Sequence, residues 1–394
     1  MKIPILGIKV DDLNKTNVLK TIKYFLFSQY QHYICTINPE FIMEAQKDGF
    51  FKYILNLADL STADGTGIVF AGKIFGTPIK EKITGVDLTY EICKICEKTK
   101  RSVFLLGGKN NTAEKTAQEL KKLYPKLKIA GIAGDIEVSN PKFLPKEVYK
   151  KIRQTNPDVL FVALGAPKQE KVIYYHLKNF PSVKIAIGVG GTFDFISKSI
   201  KRAPIIMQKL GLEWLYRLYK EPKRIKRIFI AVIVFPLTVL KWRIRMIFCY
   251  RKNVVGVIFN KNKQFLLCQR SNESAIHWQF PQGGVDKGEN EKQALFREMK
   301  EELGTDKFRL IRKLNIDYKY AWPTKWHKML KGYKGQRQYI YLLEFLGTNK
   351  DFRLYIKKEI SKILWVDKKD LLKKIKLKRQ ELTKKILAEL DNEN

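Results

Sequence analysis

Short apolar runs that close on glycine and pass straight into helix-forming sequence constrain this chain more than any other feature. Ser102–Leu106 ends at Gly107-Gly108, Asp158–Leu164 at Gly165, and Ile185–Val189 at Gly190-Gly191. Tyr33–Ile37 is a fourth run, with a helix expected at Pro39–Lys47. Further helices are expected over Thr112–Tyr124 and from Lys168, and a further strand at Leu127–Ala130. Strands that are apolar throughout belong to parallel sheets covered on both faces. The first part is therefore read as an α/β domain. Ligands of such sheets lie beyond the carboxyl ends of the strands, and that is where this chain keeps its unusual residues.

The pattern changes near Lys252. Val254–Phe259 and Gln264–Gln269 read as a hairpin, with a helix at Glu291–Leu303. Strands near Phe308–Tyr318, Tyr339–Phe345 and Lys362–Val366 then lead to a closing helix from Lys368. This is an α+β pattern. A length of 394 residues accommodates two domains. The boundaries read from the chain are 1–219, a connecting segment 220–251, and 252–394.

Around the connecting segment, Lys220–Lys252 holds ten basic residues against the single acid Glu221. Inside it, Ile228–Leu240 runs for thirteen residues without a charge. A helix needs about 20 residues to span a bilayer, and Pro236 falls within this run. An apolar stretch between basic clusters fits a helix lying in an anionic membrane interface. The whole chain carries a formal charge of +36, which calls for an anionic partner. Five scattered cysteines do not make a secreted disulfide framework. Cys93 and Cys96 have CxxC spacing, but within helical sequence and without a second pair. The N-terminal MKIPILGIKVDD has neither the basic nor the apolar region of a signal peptide. A cytoplasmic protein, peripheral at the inner face of the cell membrane, is expected.

Between Gly283 and Gly304 lies a box of carboxylates. Glu298, Glu301 and Glu302 stand at i, i+3 and i+4, so one helical face carries three acids that repel unless a cation relieves them. Hard divalent cations favour such oxygen ligands, and Mg2+ bridges well to phosphates. Gly283 and Gly284 allow a tight approach of the preceding loop, and Arg297 is expected to pair with Glu289. The run Gly283-x5-Glu289-x7-Arg297-Glu298-Met-Lys-Glu301-Glu302-Leu-Gly304 matches the Nudix hydrolase signature at every fixed position, with Thr305 at the final apolar place.

Together with Trp278-Gln-Phe-Pro-Gln and Gly335-Gln-Arg-Gln338, it resembles the bacterial RNA 5′-pyrophosphohydrolase and dinucleoside-polyphosphate hydrolase branch. That resemblance implies Mg2+, with Mn2+ as a substitute, held by Glu298, Glu301 and Glu302. It implies Glu302 and Glu359 as catalytic carboxylates, Arg297 at the substrate, and a nucleotide or RNA 5′ end as the substrate.

The first 225 residues resemble the WecG/TagA/CpsF glycosyltransferase family (glycosyltransferase family 26). The motifs carrying this are Thr36-Ile-Asn38-Pro-Glu40, Ala63-Asp64-Gly-Thr-Gly67, Thr84-Gly-x-Asp87, Gly165-Ala-Pro-Lys-Gln169-Glu170, Gly188-Val-Gly-Gly-Thr-Phe-Asp194, Lys201-Arg-Ala-Pro204 and Gly211-Leu-Glu-Trp-Leu-Tyr-Arg217. The resemblance implies a Rossmann-like fold. It also implies transfer of an N-acetylhexosamine-type sugar from a UDP-sugar donor to a polyprenyl-diphosphate-linked acceptor, in cell-surface polysaccharide synthesis. Asp64 becomes the base, and Thr36, Asn38 and Gln169 line its pocket. Arg217 and Arg224 hold a diphosphate. Lys82 stands where the family often has arginine. With no DxD pair, no metal or other cofactor is expected in this half. Homo-oligomers are common in the family. The alternative is a membrane- or RNA-binding protein in which only the RNA 5′-pyrophosphohydrolase unit is active.

Overall fold

The computed structural model describes residues 2–204, 206–207, 211–270, 278–322, 332–354 and 360–392. The chain divides into two compact units, the first Met1–Arg243, the second Ile244–His327 with Gly332–Asn394.

The first unit opens with an antiparallel hairpin of β1 (Lys2–Ile5) and β2 (Ile8–Asp11). Its two-residue turn, Leu6-Gly7, has positive φ at both positions, the geometry that matches the twist of a hairpin. Then follow α1 (Lys15–Phe27), β3 (His32–Ile37), α2 (Pro39–Ala45), α3 (Gly49–Asn56), β4 (Leu60–Ala63), α4 (Thr66–Ile74) and α5 (Gly85–Thr99). The unit continues through β5 (Ser102–Gly107), α6 (Thr112–Leu123), β6 (Lys128–Ala133), α7 (Lys146–Thr155), β7 (Val159–Ala163), α8 (Lys168–His176), β8 (Ile185–Gly188) and α9 (Thr192–Ile196).

The strands β3 to β8 form a parallel sheet in the order β4-β3-β8-β7-β5-β6. Ile34, Val103, Leu105, Val159, Phe161, Ile185 and Ile187 pack in one core with α1, α5, α6 and α9. Their strand neighbours Cys35, Phe104, Leu106, Leu160, Val162 and Ala186 are buried as well, as a sheet covered on both faces requires. In α5 the buried Gly85, Leu88, Thr89, Ile92, Cys93 and Cys96 recur at three and four residues, one stripe of a helix. Cys93 and Cys96 are therefore core residues.

The expected strand and helix centres match these elements. β4 was not foreseen, because Leu-Ser-Thr-Ala carries no apolar run. Its Thr62 is buried with its hydroxyl donating to the Ile83 carbonyl at 3.2 Å.

From Glu213 the chain is largely helical, through α10 (Glu213–Lys220), α11 (Ile225–Phe229), one π-turn at Ile230–Val234, and α12 (Phe235–Phe248). Pro236 lacks the N–H that would continue the ladder, and the wider turn just before it accommodates the gap. Ile228, Phe235, Val239, Trp242 and Met246 are buried on one side. Ile225, Phe229, Ile233, Leu237, Leu240, Ile244 and Phe248, at steps of three or four, stand 40% to 71% exposed on another. Among the described residues no helix is long and apolar enough to cross a membrane.

The second unit is built on β9 (Tyr250–Phe259), β10 (Phe265–Arg270), β11 (Trp278–Gln279), β12 (Gln282–Gly284), β13 (Phe308–Lys313), β14 (Tyr318–Ala321), β15 (Gly335–Phe345) and β16 (Ile360–Val366). The central order is β11-β10-β9-β15-β13, with β12 on β9, β14 on β15 and β16 on β10. The expected β9–β10 hairpin is present at its turn, where the Asn260 N–H donates to the Gln264 carbonyl at 3.0 Å, but its ladder is short. The two strands pair only at Phe265↔Phe259, β10 then runs against β16, and β9 runs parallel to β15 from Tyr250↔Gly335 to Phe259↔Glu344. The two strands remain neighbours in the sheet, and beyond their one pair β9 takes β12 over Asn253–Val255. The expected strand Phe308–Tyr318 is two strands, β13 and β14.

One face of the sheet packs Val254, Ile258, Tyr341 and Leu343 against α13 (Glu291–Leu303). The other packs Val255, Val257, Ile340 and Leu342 against α14 (Leu371–Lys374) and α15 (Gln380–Asp391).

Candidate functional sites

The ends of β3, β4 and β8 bring the first site together. Thr36 is the penultimate residue of β3, and Asp64 follows β4 directly. Gly65, at φ +110, turns the chain into α4 at an angle that side chains rarely adopt. The Asp64 backbone N–H donates to the Ile37 carbonyl at 2.7 Å, and Asp64 Oδ2 accepts from the Gly85 N–H at 3.2 Å. A Cβ on Gly85 would stand 3.4 Å from Thr192 Oγ1, 3.5 Å from Thr36 Oγ1 and 3.8 Å from Asp64 Oδ2. Three oxygens thus surround one position without a side chain. Burial lifts the Asp64 carboxyl to about 6, against the lowering effect of the Gly85 N–H. A group poised there can accept a proton near neutral pH.

Beside it lie two cationic clusters. At Gly191 a Cβ would meet Asp194 Oδ2 at 3.4 Å, Arg217 Nη2 at 3.7 Å and Arg224 Nη2 at 3.9 Å, so both guanidiniums reach the loop after β8. Arg217 lies 4.6 Å over the Phe195 ring. Burial and then Arg224 hold it below the usual arginine range. Arg224 Nε donates to Glu221 at 2.7 Å.

The second cluster lines a 590 Å³ cleft along α4, formed by Lys73, Lys80, Lys82 and Arg202 with Glu81 and Asp87. Its apolar wall is Val69, Phe70 and Ile79. Arg202 pairs with Asp87 at 3.0 Å, and Thr84 caps α5 while donating its hydroxyl to Asp87 at 2.7 Å.

Gln169 and Asn38 take up places the spacing did not predict. Gln169 is 1% exposed. Its Oε1 accepts from Gly165 N–H at 3.1 Å and Gly190 N–H at 3.0 Å, and its Nε2 donates to Glu170 Oε1 at 2.7 Å. It ties the loop after β7 to the loop after β8. Glu170 is fully buried, and burial raises it to about 7. Both side chains occupy the space that Gly188 leaves: a Cβ there would come within 2.5 Å of Glu170 Oε1. Asn38 caps α2, accepting from the Phe41 N–H at 3.0 Å. Thr192, Asp194, Arg202 and the Arg227–Glu40 pair (Nε to Oε2 2.6 Å) belong to the surroundings of the site and were not singled out from sequence. Thr192, Asp194, Arg202 and Glu40 lay inside quoted motifs, so the signal was present.

In the second unit, α13 is fixed by an Asn290–Gln293 capping box at its start and by Gly304, φ 72, at its end. Arg297 is the hub of the box. Its Nη2 and Nε donate to Glu289 at 2.6 and 3.0 Å, and its Nη1 donates to Glu298 at 2.9 Å and Glu301 at 3.0 Å. Nη2 also donates to the Gly284 carbonyl at 2.9 Å. The Glu289 partnership, then the other carboxylates, raise Arg297 above its ordinary range.

Glu298 lies over Gly283, where any Cβ would overlap its carboxyl. Glu302 is buried, with Oε2 accepting from the Gln282 N–H at 3.0 Å and Arg270 at 3.7 Å from Oε1. Behind it runs a row of buried amides: Gln338 Nε2 donates to Gln282 at 2.6 Å and to Asn253 at 3.3 Å, and Gln282 Nε2 donates to Gln279 at 3.1 Å.

Among the described residues no group of three His, Cys, Asp or Glu side chains is gathered closely enough to hold a metal ion. The donor set nevertheless fits a hard cation in its chemistry, being all carboxylate and set against a glycine that leaves room beside Glu298. Glu359 lies outside the described residues.

Residues 3–247 match the family model described as glycosyl transferase WecG/TagA/CpsF family, and residues 250–388 match the NUDIX domain. The chain is 34% identical to the N-acetylglucosaminyldiphosphoundecaprenol N-acetyl-beta-D-mannosaminyltransferase of Staphylococcus aureus strain MRSA252, over 62% of this chain and 95% of that one. It is 36% identical to the protein of the same name from Bacillus subtilis strain 168, over 56% of this chain and 83% of that one. Among solved structures, a C. elegans Ap4A hydrolase binary complex is similar at 24% identity, covering 36% of this chain and 98% of that one, with a TM-score of 0.28. The chain belongs to the WecG/TagA/CpsF glycosyltransferase family and carries a Nudix hydrolase domain after it, two enzyme folds in one polypeptide.

Proposed function

We propose that the first unit transfers an N-acetylhexosamine-type sugar, with the N-acetylmannosaminyl transfer named for its relatives as a precedent, from a UDP-sugar to a polyprenyl-diphosphate-linked acceptor. The observation that carries this is the raised carboxyl of Asp64, set with Thr36 and Thr192 at the strand ends and flanked by two cationic clusters. Asp64 accepts the proton of the acceptor hydroxyl as that oxygen attacks the sugar carbon. The bond from that carbon to the UDP oxygen breaks, and UDP leaves with its electron pair. Two diphosphates meet in this reaction, and the unit offers two cation sets. Arg217 and Arg224, at the loop after β8, suit the leaving diphosphate by forked contacts. Lys82, Lys80, Lys73 and Arg202, beside an apolar wall, suit the lipid-linked one. Thr36 lines the pocket, while Gln169 and Asn38 position its loops. The exposed apolar stripe of α11 and α12, with Lys226, Arg227, Lys241 and Arg243 about it, is read as a peripheral contact with the anionic membrane that holds the acceptor.

The second unit is read as a phosphoanhydride hydrolase. Glu298, Glu301 and Glu302 would hold Mg2+, which would polarise the phosphoanhydride when bound. Arg297 keeps Glu298 and Glu301 aligned, and Gln282 fixes Glu302. A product screen with UDP-sugars and a short polyprenyl-diphosphate acceptor, and separately with nucleoside polyphosphates, with and without Mg2+, tests both readings. Absence of sugar transfer from every UDP-N-acetylhexosamine would reject the first. Phosphate release that ignores Mg2+ would reject the second.

A further inference from the structure

Gln169 and Glu170 are neighbours on the first turn of α8, and both are buried so fully that their polar atoms must find partners inside the protein. A side-chain amide has an oxygen end and a nitrogen end of nearly the same shape, and its partners decide which end faces where. The end of Gln169 that faces the strand-end loops meets two donors, the N–H groups of Gly165 and Gly190. It must therefore be the oxygen. The opposite end must donate, and its acceptor is Glu170 Oε1 at 2.7 Å.

The other Glu170 oxygen, Oε2, is buried with no hydrogen-bond partner among the described residues. An acid is a costly way to fill such a space, and an apolar chain of the same length would fill it more cheaply. What the acid adds is an acceptor for Gln169. The end of β8 makes room for the pair: a Cβ on Gly188 would lie 2.5 Å from Glu170 Oε1 and 2.6 Å from Gln169 Nε2. Two adjacent side chains of one helix can meet there because residue 188 has none.

The consequence falls on one side of the site. Gly190 directly precedes Gly191, the point that the Arg217 and Arg224 guanidiniums reach, and Thr192 beside Asp64 comes next. The cleft of Lys73, Lys80, Lys82 and Arg202 lies along α4 instead.

We propose that Glu170 is a positioning residue for the donor half of the transfer: it fixes the direction of the Gln169 carboxamide and thereby places the loop at which the leaving diphosphate is held. The inference rests on the transferase reading of the first unit.

The test uses the full chain with Glu170→Met, Glu170→Gln or Gly188→Ala. Methionine keeps the length and removes the acceptor, glutamine keeps an acceptor oxygen, and the alanine methyl separates the pair while leaving both polar side chains in place. Initial rates are measured with donor and acceptor varied separately, and UDP binding is measured by calorimetry. Glu170→Met and Gly188→Ala should each raise KM for the UDP-sugar, weaken UDP binding and lower kcat, each about tenfold, the scale of one buried hydrogen bond left unmade. KM for the acceptor should not change. Glu170→Gln should stay within about threefold of the native chain, because its oxygen still accepts from Gln169. If Glu170 only fills space, the methionine and glutamine variants behave alike, or donor and acceptor KM rise together; either result overturns the proposal. A native chain that binds UDP but transfers no sugar, with UDP binding weakened by methionine and kept by glutamine, upholds the positioning and rejects the transferase reading instead.

Discussion

At the scale of single residues, the proposed base Asp64 would set the pH behaviour of transfer. Its carboxyl ionises near 6 in the fold and near 3.9 in an unfolded chain. A base must be ionised to act, so kcat/KM for sugar transfer should rise with pH through about 6 and level off above it. The folded state holds the proton more tightly than the unfolded state. The stability linked to this group is therefore complete below about 4 and is lost as pH rises through 6. Asp64→Asn should abolish transfer, by at least the 10²- to 10⁴-fold usual for a general base. At pH 8 it should also stabilise the first unit by roughly 3 kcal/mol, with a smaller gain at pH 5. Calorimetry at the two pH values checks this; a variant less stable than the native chain at pH 8 would show that burial does not strain the carboxylate.

At the scale of elements, the contact between β12 and α13 decides the hydrolase. Gly283→Ala puts a methyl group where the Glu298 carboxyl lies. Either the strand or the helix must shift, at about 1–3 kcal/mol, and Mg2+-dependent phosphate release should fall at least 100-fold. Titration of Mg2+ against the rate would separate weakened metal binding from unfolding.

This is also the scale at which sequence and structure diverge. The Arg297–Glu289 pairing and the helix that carries Glu298, Glu301 and Glu302 were legible because they lie within a short stretch of chain, one helix and the loop before it. The apolar strands β3, β5, β7 and β8 were legible because burial on both faces forces continuous hydrophobicity. β4 was hidden because its polar residues are satisfied inside the fold. That the β9–β10 pairing stops after one pair, with β12, β15 and β16 taking the rest of their edges, was hidden because pairing partners distant in sequence leave no local mark. Gln169 carried the right motif, but that its carboxamide bonds to loop backbone depends on Gly165 and Gly190 meeting in space.

For the molecule as a whole, the two candidate sites sit in separate compact units. Asp64→Asn should leave Mg2+-dependent phosphate release intact. Glu301→Gln with Glu302→Gln should remove that release and leave sugar transfer intact. Coupled loss in both directions would mean that the activities share a site. The charge of +36 and the apolar stripe of α11 and α12 together predict sedimentation with phosphatidylglycerol vesicles that weakens as salt rises from 0.1 to about 0.5 M. Replacing Phe229 and Leu237 with serine should lower that binding about tenfold, read as the fraction pelleted.

The carboxamide of Gln169 has a consequence for motion. Loops at strand ends ordinarily open to solvent within milliseconds or faster, and their amide protons exchange quickly. Here the Gly165 and Gly190 N–H groups are both held by one oxygen that water scarcely reaches. Deuterium should therefore enter these two glycines about as slowly as it enters the strands they follow, and the two loops should open together, as one mechanical piece.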